Sequence, residues 1–170
     1  EDHMAGYKSA WGIEVGSYAV KAIRLERIGE EVQIVDFAYV PHKKPLSTPD
    51  LDVDEMVRLT LGQLMSQKSI EGERVVMSIE ARSSFSRFAK LPPVEAKKIP
   101  DIVKFEAVQQ IPFPIEEVEW DSKTFLSEDS PETEVGIFAI RRDELERRLA
   151  LWAEHGLNPD IVTVGPVALF

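Results

Sequence analysis

Cysteine is missing from all 170 residues, which excludes disulfides and cysteine-ligated zinc. Histidine is scarce, and His3, His42 and His155 stand too far apart for a local metal motif. His42 and His155 read as surface or packing residues. No run approaches the roughly 18 consecutive apolar residues of a membrane-spanning helix, and no signal peptide is expected ahead of the first strand, so a cytoplasmic location is the expectation. Basic residues are outnumbered, 20 Lys and Arg against 30 Asp and Glu. The resulting net charge of −10, with a pI near 4.8, repels nucleic acid and disfavours adsorption to membranes. No Ser-His-Asp set is evident, and the adjacent pairs Glu116-Glu117 and Asp143-Glu144 make no acid–base pair, because neighbours on a helix point apart.

What is present is the material of a globular chain: 44% hydrophobic and 29% charged residues, enough for a real core in one domain or two small ones. The stretch Trp11 to Leu25, W-G-I-E-V-G-S-Y-A-V-K-A-I-R-L, reads as strand, tight turn, strand. Ile13 and Val15 alternate with Gly12 and Glu14, Gly16-Ser17 supplies the turn, and Ile23 and Leu25 alternate with Arg24 and Glu26. A carboxylate two residues before a hairpin glycine permits two readings. The turn amides and Ser17 can cradle a phosphate while Glu14 faces a hydrated metal and Lys21 adds a cation. An ordinary hairpin with charges on its solvated face accounts for the same residues, and short glycine motifs often match by accident.

The remaining chain divides into two patterns. After the hairpin, Gly29-Glu30 turns into the strand Val32 to Val40, and Pro41 to Pro49 is a loop. A helix follows, with Asp52 and Glu55 as a capping box and Leu51 and Met56 as a hydrophobic staple. Val53, Met56, Val57, Leu61, Leu64 and Met65 form its apolar stripe. Arg74 to Ile79 suits a buried strand after a parallel crossover. The second pattern opens with a strand over Phe85 to Leu91 and a helical segment from about Val94 to Gln110, which Pro100 is expected to break or kink. A hairpin follows, from a strand at Val118 across an acidic turn at Glu128 to Glu132 into Val135 to Ile140. Asp143 and Glu146 repeat the capping-box pattern, Gly156 stops that helix, and Ile161 to Val164 is a last strand before an expected helix start at Val167 to Phe170. Glu1 to Met4 reads as vector residue. Between Arg82 and Lys104 the chain is locally basic, with Arg82, Arg87, Lys90, Lys97, Lys98 and Lys104 against Glu95 and Asp101. Such a stretch either receives an acidic peptide or is simply a solvated face.

Trp11 to Leu25, L-P-P-V at Leu91 to Val94, F-E-A-V-Q-Q-I-P-F-P-I-E-E-V-E-W-D at Phe105 to Asp121 and V-G-P-V-A-L near the end together resemble the PilM family of type IV pilus assembly proteins, which is actin-like and related in fold to FtsA. The resemblance implies an α/β (α+β) fold of FtsA type. Residues 7–81 with 159–170 would form subdomain 1A, residues 82–158 an inserted subdomain 1C carrying the SHS2-type unit, and residues 1–6 a tag or disordered start. It implies a chain continuing into a second nucleotide-binding lobe beyond Phe170. By the same resemblance Glu14, Gly16, Ser17 and Lys21 are the phosphate-binding positions, Glu14 meets magnesium through water, and ATP and Mg belong to the full-length protein, with neither held tightly here. Family phosphate loops carry aspartate where this chain has Glu14. The extra methylene disturbs the near-octahedral water shell that magnesium demands, so no catalytic turnover is expected of this chain. The implied partner is the N-terminal cytoplasmic peptide of a PilN-type inner-membrane protein, placed between 1A and 1C near Arg82, Arg87 and Lys90. Other pilus assembly proteins are further implied contacts, and the membrane is reached only through partners. If the helix beginning at Val167 normally covers subdomain 1A, its absence exposes apolar surface, and self-association is the expectation. A working ATPase and the actin-like domain of a type II secretion platform protein are the alternatives.

Overall fold

The computed structural model describes residues 8–91, 94–126, 133–165 and 167, apart from the side chains of Ala96 and Leu126. The expected tag, Pro92-Pro93, the acidic turn and all of the terminal helix start except Val167 lie outside the described residues. The chain forms two units, Glu1–Glu80 with Arg147–Phe170, and Ala81–Glu146.

The first unit is built on a five-stranded sheet. Strands β1 (Ser9–Val15), β2 (Ala19–Ile28) and β3 (Glu31–Pro41) form an antiparallel meander. Gly29, at φ +67°, makes the second turn, a conformation that costs glycine nothing. Helix α1 (Val53–Gln67) then carries the chain across to β4 (Val75–Ile79), which lies parallel to β1, and β8 (Ile161–Val164) adds in parallel beyond it, giving the order β3-β2-β1-β4-β8. Asp52 caps α1 as expected, its carboxylate accepting from the Glu55 amide at 3.0 Å. The reciprocal half of the capping box is not formed, because Arg58 donates to the Glu55 carboxylate at 2.6 Å. The stripe predicted for α1 is the buried one: Met56, Val57, Leu61 and Leu64 join Trp11, Ile13, Val20, Val40 and Met77 in the interior.

Helix α3 (Arg142–Ala153) crosses the boundary between the units. The first unit takes in this helix from Arg147 onward. From there the helix is tied to α1: Arg147 pairs with Asp54, and Arg58 donates to Glu154 at 2.6 Å. Asp143 does not cap toward Glu146 but lies inside the first turn, where Arg141 donates to it at 2.6 Å, and this bond lowers the Asp143 pKa. Gly156, at φ +74°, ends the helix in a Schellman motif, with Leu157 N bonded to Trp152 O and Gly156 N to Ala153 O.

In the second unit β5 (Phe85–Leu91), β6 (Val118–Leu126) and β7 (Thr133–Arg141) make an antiparallel sheet in the order β5-β7-β6. Its core gathers Leu91, Val118, Val135, Ile137 and Ala139 from the sheet with Val103 and Ala107 from helix α2 (Ile99–Gln110). Pro100 does not break that helix. It sits in the first turn, where its missing N–H would have had no partner, and a short 3-10 turn over Ala96–Lys98 precedes it.

One ion cluster of the first unit makes its stability pH-dependent. Ser9 Oγ and Arg24 Nη2 donate to the Glu73 carboxylate at 2.8 and 2.9 Å, tying β1 and β2 to the approach of β4. The Ser9 bond first, then the Arg24 bond and charge, hold Glu73 below its ordinary pKa. A carboxylate depressed on folding stabilises the fold fully above its unfolded pKa of about 4.3, and that contribution is lost as pH falls through the lower folded value. The stability gap between the native chain and Glu73→Gln, measured by urea denaturation, should thus be largest at neutral pH and shrink toward pH 3. A gap independent of pH would contradict this role.

Candidate functional site

The first unit places the predicted phosphate loop in a recess of about 430 Å³ lined by Glu14, Gly16 to Ala19, Lys21, Tyr39 and Glu80. The hairpin register makes Glu14 and Lys21 direct cross-strand partners, with Lys21 Nζ 3.4 Å from Glu14 Oε2. All four predicted residues, Glu14, Gly16, Ser17 and Lys21, therefore come together. A second carboxylate in the recess, Glu80, was missed. Its signal lies in topology: β1 and β4 run parallel with Glu14 beside Ser78, so the residues leaving both strands converge where ligands sit in α/β sheets, outside the carboxyl ends. The two carboxylates flank the turn glycine. A Cβ built on Gly16 would lie 3.7 Å from Glu14 Oε1, 3.9 Å from Glu80 Oε1 and 3.3 Å from the Ala19 carbonyl, so a side chain there would enter the recess.

The donor set bears on the implied metal. Among the described residues no group of three or more His, Cys, Asp or Glu is arranged to hold a metal ion. Two carboxylates beside a turn of backbone amides fit magnesium, which would keep most of its waters and take its remaining ligands from phosphate. Glu14 and Glu80 are the residues of the recess that would meet such a water shell.

The three partner-facing candidates separate. Arg82 lines a second recess, of about 320 Å³, wholly within the second unit, together with Phe85, Pro112, Phe113, Arg141 and Glu144. The Arg141 guanidinium lies 5.8 Å from the Phe113 ring centre, within cation–π range. Arg87 and Lys90 project from opposite faces of β5, since their spacing is odd. Both are exposed, and β5 is an edge of its sheet. Lys97, from the same basic stretch, is paired with Glu95 at 2.8 Å.

A third feature was not anticipated as a surface. On β2 and β3 the cross-strand neighbours Ile23–Phe37 and Leu25–Ile34 are exposed, Phe37 at 70% and Ile34 at 63%, with Tyr39 at 60% beside Lys21. The alternation of β2 and β3 was legible, but not that this face is left exposed among the described residues.

Comparison with known proteins agrees with this architecture. A solved structure described as the "PilM-PilN type IV pilus biogenesis complex" superposes with a TM-score of 0.70 at 23% identity, covering 94% of this chain and 48% of the other. The cytoplasmic domain of EpsL, an inner-membrane component of the type II secretion system of Vibrio cholerae, superposes with a TM-score of 0.55 at 12% identity, covering 92% of this chain and 57% of the other. The fold is thus the mixed α/β fold of the actin-like class that the resemblance implies, and the chain spans about half the length of these relatives. The model of the family described as "Type IV pilus assembly protein PilM" matches residues 12–169, and the chain belongs to that family.

Proposed function

We propose that this chain is the part of a cytoplasmic type IV pilus adaptor that holds the N-terminal cytoplasmic peptide of a PilN-type inner-membrane protein. The observation that carries the reading is the recess of the second unit. Phe85, Pro112 and Phe113 offer apolar contact, and the Arg82 and Arg141 guanidinium groups stand there with the Glu144 carboxylate, Arg141 being also bonded to Asp143. That composition suits a short tail with apolar anchors and an acidic residue. Beside it the β5 edge offers main-chain pairing to an extended peptide. A solved relative assembled with PilN supports this choice of partner. The type II secretion alternative shares the fold, and the family match over residues 12–169 favours the pilus protein.

The test is calorimetric titration of this chain with a peptide of the cognate partner's cytoplasmic tail, without nucleotide. Arg87→Glu should weaken binding about tenfold, roughly 1.4 kcal/mol. The thermal midpoint should stay nearly unchanged, because Arg87 is exposed. Unchanged affinity in the variant, or binding that demands nucleotide, would remove the proposed site.

A second reading attaches to the Gly16–Ala19 loop. We infer that in the full-length protein it receives nucleotide phosphates with magnesium, Lys21 supplying a cation and the water shell reaching Glu14 and Glu80. The long Glu14 side chain and its pairing with Lys21 favour binding without turnover.

A further inference from the structure

We propose that His42 is the positioning residue of the Gly16–Ala19 loop, turning its carbonyls away from the recess so that its amides meet phosphate; the inference rests on the reading that this loop receives phosphate. His42 directly follows β3 and is only 8% exposed. Its ring bridges two elements: Nε2 lies 2.9 Å from the Gly16 carbonyl oxygen, and Nδ1 lies 2.8 Å from Thr60 Oγ1 on α1. A carbonyl only accepts, so Nε2 carries a proton. Thr60 Oγ1 is also 2.8 Å from the Met56 carbonyl. Either the Thr60 hydroxyl donates to an unprotonated Nδ1, or a doubly protonated ring donates to Thr60, which donates on to Met56. In both states the Nε2–H stays on Gly16.

The segment after β3 holds the rest of the loop in the same sense. His42 N donates to Tyr18 O at 2.9 Å, Leu46 N to Ser17 O at 2.8 Å, and Gly16 N to Ala19 O at 2.9 Å. Four consecutive carbonyls, Gly16 to Ala19, are thereby engaged. The Ser17 and Tyr18 amides make no hydrogen bond among the described residues and remain as the loop's donors. A Gly16–Ser17 peptide free to flip would present an oxygen to phosphate in place of an N–H, turning an anion-binding turn into a repelling one. The Gly16 end of that peptide is fixed by a side chain rather than by sheet pairing, and Thr60 anchors that side chain beside the buried Leu61.

The test is NMR of the 170-residue chain, native and as His42→Gln and His42→Phe, with thermal midpoints recorded alongside. Expected are a protonated, slowly exchanging Nε2–H in the native chain, exchange of the Gly16 and Leu46 amides, which are bonded to Ala19 O and Ser17 O, at least tenfold faster in His42→Phe, and substantial recovery in His42→Gln, whose amide can donate to Gly16. An Nε2 without its proton would overturn the proposal even if the variants do not fold. So would loop exchange equal in all three chains, or His42→Gln no better than His42→Phe, since a residue that only fills space gains nothing from a donor. Titration with MgATP at millimolar concentration separates the two claims. Shifts at Ser17 and Tyr18 in the native chain and His42→Gln, but lost in His42→Phe, support both. No shift in the native chain overturns the phosphate role, while exchange alone still decides whether His42 holds the loop. Equal shifts in the native chain and His42→Phe overturn the positioning role.

Discussion

Leu61→Ala should destabilise the first unit by roughly 2–5 kcal/mol, the range for a fully buried leucine whose cavity does not collapse. Leu61 is 0% exposed in the middle of α1, and Leu64 one turn on is equally buried. The loss is a large fraction of the 5–15 kcal/mol that holds a typical domain together. Leu59 lies on the same helix and is 49% exposed, so it serves as the internal control. Leu59→Ala should change stability by about 0.5 kcal/mol or less. Urea denaturation followed by far-ultraviolet circular dichroism measures both. Similar costs for the two, or a Leu61→Ala loss below about 1 kcal/mol, would mean that α1 does not pack through the stripe described.

Phe37→Glu should have the largest effect on assembly, converting a chain that associates with rising concentration into a monomer. The β2–β3 face sets Ile23 beside Phe37 and Leu25 beside Ile34, all exposed, and Tyr39 continues the row. A contiguous apolar surface of this kind drives association in water, and a second copy offers the same surface to cover it. The row stands on an antiparallel pair of strands, where these side chains project to one side. Light scattering across a concentration series, with binding of a hydrophobic dye, measures it. A native chain that stays monomeric and binds no dye would contradict the expectation, as would a Phe37→Glu chain that associates equally well.

Much of the fold was legible because several local signals agreed. The alternation through Trp11 to Leu25, the cap at Asp52 and the stripe from Met56 to Leu64 each fixed an element that the structure contains. Pro100 was misread because proline inside an apolar pattern resembles a break, while the same residue in a first turn is favourable, and only the boundary distinguishes them. Helix α3 is one uninterrupted helix, and its ties to α1 through Arg147–Asp54 and Arg58–Glu154, pairs separated widely in sequence, have no local signature. In the candidate site, the hairpin brought Glu14 and Lys21 together in a way that spacing could show. Glu80 and His42 required the parallel β1–β4 register and the path of the chain after β3, neither of which has a local signature.

The pilus-adaptor reading is tested most directly by mapping the bound peptide. The 170-residue chain, labelled with 15N, would be titrated with the cognate PilN-type cytoplasmic tail peptide in the absence of nucleotide. The expected result is saturable shifts at Arg82, Ser83, Phe85, Phe113 and Arg141 and along β5, with the Gly16–Ala19 loop unmoved. Shifts confined to the first unit, or no saturable shift at any residue, would contradict the proposed site of the partner.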